Sequence, residues 1–135
     1  MNKSASRELV FKLLYSLEIQ KEFKWEQFEL FCQTNEIEDK NTKEYMKEII
    51  EQVNNHRQEI EELISKNLKS GWDIKRISKI NITLLKLAIC EMLYKNLPYK
   101  IVINEVVELA KVYGDDTSPM FINGVLASII KQNNM

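Results

Sequence analysis

The fold of this chain is decided by residues 80–94, which read INITLLKLAICEMLY. Polar or charged side chains interrupt the apolar run at four of its positions: Asn81, Thr83, Lys86 and Glu91. As a helix, the stretch would be apolar on nearly every side, and such helices are covered by other elements in soluble proteins. We therefore predict a central helix here, with the rest of the chain packed around it.

The segments on both sides of this helix repeat apolar residues every three or four positions, which is typical of helices with one buried face. We expect further helices over residues 4–20, 24–34 and 41–69, a short one that carries Ile74 and Ile77, one through Ile103 and Ala110 that stops at Gly114, and a last one that begins at Ser118-Pro119. Ser4, Asn41 and Asp73 are the predicted N-caps, because their side chains can accept from exposed N–H groups. Gly71 suits a left-handed turn at the end of the long helix, and Trp72 suits a hydrophobic staple before the next.

Composition favours the same fold class. The 135 residues include three glycines and two prolines, too few for the many turns of a sandwich or a barrel. We predict an all-α fold of two consecutive three-helix-type bundles packed as one domain. That domain covers residues 1–135, with an N-terminal helical subdomain over 1–70 and a C-terminal one over 71–135.

Charge and cysteine usage restrict the function. The formal charge of −1 argues against a protein that binds nucleic acid unaided and without specificity. No apolar run approaches the ~18 residues of a membrane helix. Cys32 and Cys90 lie far apart within helical apolar patterns, which favours two reduced, buried thiols. We expect a cytoplasmic protein without a membrane segment.

Catalytic and cofactor motifs are missing from the sequence. His56 is the only histidine, and it falls within the apolar seam of the long helix. The sequence contains no phosphate-binding glycine loop, dinucleotide fingerprint or nucleophile elbow, and the two cysteines do not have zinc-ligand spacing. We expect no enzymatic activity, no metal and no cofactor.

The most specific stretch is residues 98–126, which read PYKIVINEVVELAKVYGDDTSPMFINGVL. It resembles the signature of the NusB family of transcription antitermination factors, P-x-x-V-x-I-N-E-x-x-E-L-A-K-x-F/Y-G followed by S-x-x-F-x-N-G-V-L. Residues 80–93 resemble the central helix of that family, and residues 6–8 with Leu14 and Tyr15 resemble its first helix. The resemblance runs from end to end.

The resemblance implies an all-helical RNA-binding adaptor without catalytic activity. Members of the NusB family pair with a ribosomal protein, NusE, and together bind the boxA element of nascent ribosomal RNA transcripts. The complex helps RNA polymerase to pass terminators and supports ribosomal RNA processing. Some members also self-associate, so a homodimer is a further assembly to consider.

A candidate RNA surface can be argued from the residues themselves. Lys3 and Arg7 can neutralise phosphates, and the start of the last helix at Ser118 offers backbone N–H groups to an anion. Tyr113 and Phe121 flank the preceding connector and can stack on unpaired bases, or they can belong to the core. Ser118 can serve as a helix cap, as an RNA contact or as both.

The resemblance adds residues to both surfaces. In the family, RNA is bound by a basic N-terminal arm, the connector before the last helix and an aromatic residue of that helix. This implies RNA-binding roles for Asp115, Asp116 and Thr117, where the two aspartates would accept from base amino groups or act as caps. For the protein partner it implies contacts by Tyr15 and Asn81, although Tyr15 can instead pack between the two bundles.

The sequence is also compatible with two other interpretations. One is the NusB-like RNA-binding module of ribosomal RNA cytosine methyltransferases, but the chain carries no methyltransferase segment, so we expect the stand-alone factor. The other is a protein-binding or self-associating helical factor that does not bind RNA, which a thin basic arm favours. With a net charge of −1, we expect RNA binding to be weak alone and stronger once a basic ribosomal protein is docked.

Overall fold

The fold consists of helices that pack against one another. A computed structural model describes residues 2–133, and within this range the chain forms α-helices and no strand. The helices are α1 (Lys3–Gln20), α2 (Trp25–Thr34), α3 (Lys40–Asn55), α4 (Arg57–Lys66), α5 (Lys79–Ile89), α6 (Tyr99–Tyr113) and α7 (Ser118–Gln132). A 3₁₀ turn at Ile74–Arg76 precedes α5, and a π-helical turn at Cys90–Tyr94 extends it. The predicted all-α fold is confirmed.

Helix α5 forms the centre of the molecule. Every residue from 81 to 92 is buried, and α5 packs against α1, α3, α4, α6 and α7. This arrangement confirms the prediction made from the apolar run. The core continues from the first half of the chain into the second, with Val10 and Ile49 in the same cluster as Leu85 and Leu126. The subdomain boundary between residues 70 and 71 stays a prediction.

Two helices begin slightly earlier than predicted, because a side chain further upstream provides the cap. Asn2 caps α1, and its Oδ1 accepts from the Ala5 N–H at 2.8 Å, so Ser4 lies inside the helix. Asp39 caps α3 in place of Asn41, and its Oδ2 accepts from the N–H three residues later at 3.1 Å. Asparagine and aspartate are both common N-cap residues, so the predicted caps Ser4 and Asn41 are wrong by two positions each.

The turn between α4 and α5 follows the prediction more closely. Gly71 has a φ of +86°, the left-handed region that favours glycine. The Trp72 N–H donates to the Lys69 carbonyl at 3.0 Å, which closes the turn. Asp73 then caps the 3₁₀ turn, and its Oδ1 accepts from the Lys75 N–H at 2.9 Å.

The predicted long helix over residues 41–69 is in fact two helices. At His56 the backbone leaves helical geometry, with φ −116° and ψ 20°, and α4 starts at the next residue. The His56 ring stacks on Tyr94 with ring centroids 3.9 Å apart, and its Nδ1 lies 3.2 Å from Glu59 Oε2. The break therefore coincides with a contact to the end of the central helix.

Candidate nucleic-acid interface

Tyr113 holds the end of α6 against α1. Its hydroxyl donates to Glu8 Oε2 at 2.6 Å, and its ring centroid lies 5.1 Å from that of Phe11. The hydrogen bond to Glu8, together with partial burial, raises the pKa of Tyr113 to about 12. The residue is half-buried, so Tyr113 combines a packing role with partial exposure at the start of the connector.

The connector is held by its own side chains. Asp115 Oδ1 accepts from the Thr117 N–H at 2.8 Å and from the Thr117 hydroxyl at 2.6 Å. These hydrogen bonds lower the pKa of Asp115. Asp115 thus closes the turn before α7, whose N-cap is Thr117, and a contact of Asp115 with RNA stays a prediction. Asp116 and Thr117 are exposed, so roles for them in RNA binding stay predictions.

The structure corrects the prediction for Ser118. The residue is 1% exposed, and its Oγ accepts from the Asp115 N–H at 3.1 Å. Its own N–H donates to the Asp115 carbonyl at 3.1 Å, and the next residue, Pro119, has no N–H. Ser118 therefore shapes the connector and does not offer its hydroxyl or N–H to RNA.

Phe121 is half-buried on the first turn of α7, next to a tryptophan. Its ring stacks on Trp72 with centroids 5.9 Å apart and planes inclined by 21°. Trp72 is 58% exposed, and its role as a hydrophobic staple stays a prediction. Sequence reasoning did not identify Trp72 as a site residue, because its neighbour Phe121 lies 49 positions further along the chain.

Lys3 and Arg7 have opposite environments although they are one turn apart on α1. Lys3 is exposed, and its Nζ lies 4.0 Å from the centre of the Tyr45 ring. Arg7 is 2% exposed, and its Nε and Nη2 donate to the two carboxylate oxygens of Glu91, each at 2.7 Å. Its Nη1 donates to Glu105 Oε1 at 3.1 Å. The prediction that Arg7 neutralises phosphate is wrong, because these two carboxylates occupy its donors.

Another cation of α1, Lys12, lies next to Tyr113, which precedes the connector. Lys12 is exposed, and its Nζ lies 5.9 Å from the centre of the Tyr113 ring. Sequence reasoning missed this residue. The available signal was its place in the predicted first helix, one residue after the aromatic Phe11. Lys12 and Tyr113 form a cation–aromatic pair beside the connector.

The predicted protein-partner residues differ in exposure. Tyr15 is half-buried, with its ring centroid 6.3 Å from that of Phe11, and no other group of residues 2–133 forms a hydrogen bond with its hydroxyl. Ile19, one turn further on, is 53% exposed. Asn81 is only 8% exposed, and its Oδ1 has no hydrogen-bond partner among the described residues. Contacts of Tyr15 and Asn81 with a partner stay predictions.

Residues 2–133 contain no cluster of three or more histidine, cysteine, aspartate or glutamate side chains arranged to hold a metal ion. No helix in the same range has the length and apolar character needed to span a membrane.

Comparison with known proteins gives a consistent result. The model of the NusB family matches residues 4–131. The transcription antitermination protein NusB of Acetivibrio thermocellus is 40% identical over 97% of this chain and 90% of its own length. A solved structure of NusB from T. maritima has a TM-score of 0.88 and 30% identity, covering 98% of this chain and 92% of that one. NusB from a crystal structure of NusB and NusE in complex with double-stranded RNA has a TM-score of 0.87 and 27% identity, with 96% of both chains covered.

Proposed function

Because this chain belongs to the NusB family of antitermination factors, we propose that it is an adaptor that binds boxA RNA of nascent ribosomal RNA transcripts together with the ribosomal protein NusE. The assembly acts on RNA polymerase in the cytoplasm, where it supports antitermination and ribosomal RNA processing. The observation that carries the proposal is the match to a NusB solved with NusE and double-stranded RNA.

The geometry of the connector supports an RNA surface that differs from the predicted one. Lys12 supplies a cation beside Tyr113, and Lys3 supplies another at the start of α1. Arg7 and Ser118 drop out as contacts because both are buried. RNA would therefore meet Lys3, Lys12, the exposed part of Tyr113 and the connector residues Asp116 and Thr117.

The proposed surface for NusE is the exposed part of α1. Tyr15 and Ile19 lie one turn apart there, which gives an aromatic anchor with an unused hydroxyl next to an exposed apolar side chain. Glu18, between them, accepts from the buried Lys86 Nζ at 2.6 Å and so ties this part of α1 to the central helix. A rigid support of this kind suits a docking surface.

One observation favours the second candidate, a protein-binding or self-associating factor that does not bind RNA. The burial of Arg7 leaves the N-terminal arm with Lys3 as its one accessible cation among residues 2–7. With so few phosphate contacts, RNA affinity depends on Lys12 and on the partner. The two candidates therefore differ in what substitution of these lysines does.

The test measures RNA binding in the presence of NusE by fluorescence anisotropy. We expect Lys3→Ala and Lys12→Ala each to weaken binding several-fold and to reduce the slope of log K against log salt by about 0.7, the value for one phosphate contact on a single strand. Lys47→Ala is the matched control, because Lys47 is also exposed and lies over an aromatic ring, at 5.5 Å from Phe28. Affinity and slope that stay unchanged in both variants, and that equal those of NusE alone, would favour the protein-only factor.

A further inference from the structure

Trp72 is the most exposed of the aromatic side chains that form ring contacts around α7. The turn at Gly71 and the hydrogen bond from the Trp72 N–H to the Lys69 carbonyl fix its backbone. Its ring lies nearly parallel to Phe121, which covers at most one face of the indole, and the residue remains 58% exposed. Met120, which directly precedes Phe121 in the chain, is 82% exposed.

An exposed, flat, apolar surface of this kind is typical of a binding site. A tryptophan whose only task was to cover the core would bury most of its ring, as Phe11 and Phe28 do here. Trp72 instead leaves much of its indole in water while its backbone is fixed. The open part of the ring is therefore available to a flat ligand.

The charge around Trp72 indicates which ligand. Residues 66–79 contain five basic side chains and one acidic side chain, a local balance of +4 in a chain with a net charge of −1. The acidic one, Asp73, is used as the cap of the 3₁₀ turn. Among residues 2–133, no ion pair engages Lys69, Lys75 or Arg76. Available cations beside an exposed aromatic ring suit a single-stranded nucleic acid, whose phosphates and bases they can meet together.

We propose that Trp72 is an additional RNA-binding residue, which stacks on an unpaired base while Lys69, Lys75 and Arg76 neutralise the adjoining phosphates. Phe121 supports the indole from its other side, so that the two rings form a stacking platform. The inference rests on the proposed function. It extends the RNA path from the connector at the start of α7 to the turn between α4 and α5.

Tryptophan fluorescence offers a direct test, since the chain contains two tryptophans, Trp25 and Trp72. Trp25→Phe leaves Trp72 as the reporter, and Trp72→Phe leaves Trp25, which lies in a separate contact with Phe23 and Phe28. Each variant, in complex with NusE, is titrated with a short single-stranded boxA RNA and with the same RNA annealed to its complement. We expect the single strand to quench Trp72 and not Trp25, and the duplex to quench neither.

Anisotropy of the same RNA gives the affinities. Base stacking predicts that Trp72→Ala raises the Kd about tenfold, that Trp72→Leu does the same, and that Trp72→Phe stays close to the original. Leucine is the informative control, since it is apolar but not flat. Circular dichroism and urea unfolding check that the variants fold, which the exposure of Trp72 leads us to expect.

The outcomes separate this inference from the proposed function. If RNA binds the complex but Trp72 is not quenched and Trp72→Ala leaves the Kd unchanged, the platform is wrong and the adaptor function stands. If Trp72→Ala weakens NusE docking and leaves RNA affinity unchanged, the surface binds protein and the platform is again wrong. If no RNA binds any form of the complex, both proposals fail.

Discussion

Arg7 illustrates how a single residue can change role once the chain is folded. In the sequence it belongs to a short basic arm, yet in the structure its guanidinium pairs with both oxygens of Glu91 on the π-helical turn. The Tyr45 hydroxyl donates to the same carboxylate at 2.7 Å, and Glu91 is fully buried. The partner lies 84 positions away along the chain, so no local pattern could reveal that this arginine is buried.

This geometry leads to a prediction for stability. Arg7→Ala leaves Glu91 as a buried carboxylate without its cation, which we expect to lower the free energy of unfolding by about 3–5 kcal/mol. Urea denaturation of the purified chain measures the change. Lys3→Ala, one turn earlier and exposed, is the control and should stay within about 0.5 kcal/mol. If Arg7→Ala lowered the free energy of unfolding as little as Lys3→Ala, Glu91 would have other partners and the prediction would be wrong.

Trp72 and Lys12 are the reverse case, because the sequence analysis did not select them and they lie at the candidate surface. Each lies next to an aromatic residue of the last third of the chain, Phe121 and Tyr113 respectively. The sequence identified both aromatics as candidates and left open whether they belong to the core or to a binding surface. The sequence does not show which distant residues lie next to these aromatics in the folded chain. Only that proximity makes each aromatic part of a surface with aromatic and cationic side chains.

At the scale of elements, the helices were largely predictable because the apolar period of 3.6 residues is a local property. The caps were less certain, since Asn2 and Ser4 compete at one helix and Asp39 and Asn41 at another. The break at His56 carries no glycine or proline, and its stacking partner Tyr94 belongs to another helix. Local patterns therefore predict that a helix exists better than they predict where it ends.

The two helix-associated glycines provide a matched pair of substitutions. A Cβ on Gly114 would lie 2.4 Å from Ser118 Oγ and 2.9 Å from the Ala110 carbonyl, so the close approach of Ser118 requires glycine there. A Cβ on Gly124, inside α7, would have no neighbour within 4 Å. Close packing against a neighbouring helix therefore does not explain why position 124 is a glycine.

We expect opposite effects on stability. Gly114→Ala should lower the free energy of unfolding by about 1–3 kcal/mol, because the connector must shift to relieve the contact. Gly124→Ala should raise it by about 0.5–1 kcal/mol, because alanine has the higher helix propensity. Thermal or urea unfolding of the two variants measures both. A stabilising Gly114→Ala would mean that Ser118 does not need its position beneath the connector.

At the scale of the whole molecule, the architecture was predictable and the binding surface only in part. One nearly all-apolar stretch determined the centre, and α1, α6 and α7 pack around it as the amphipathic patterns require. The binding surface depends on which charged side chains stay exposed after folding. Arg7 and Lys86 become buried and so do not contribute to it. What remains is a near-neutral protein with cations at the start of α1, beside Tyr113 and around Trp72.

This distribution explains why we expect an adaptor that depends on its partner. A few dispersed cations release few counterions from RNA, so the salt-dependent part of the affinity is small. We expect a basic partner docked on α1 to add phosphate contacts to the same RNA, so that the two proteins bind it cooperatively. The proposed function therefore depends on the coupling between partner and RNA.

The most direct test is the fluorescence anisotropy of a short, labelled boxA RNA titrated at one fixed salt concentration, first with this protein alone and then with its NusE. We predict that NusE tightens RNA binding by the protein at least tenfold, which corresponds to about 1.4 kcal/mol of coupling. Equal affinity with and without NusE, or no RNA binding by a complex that demonstrably forms, would contradict it.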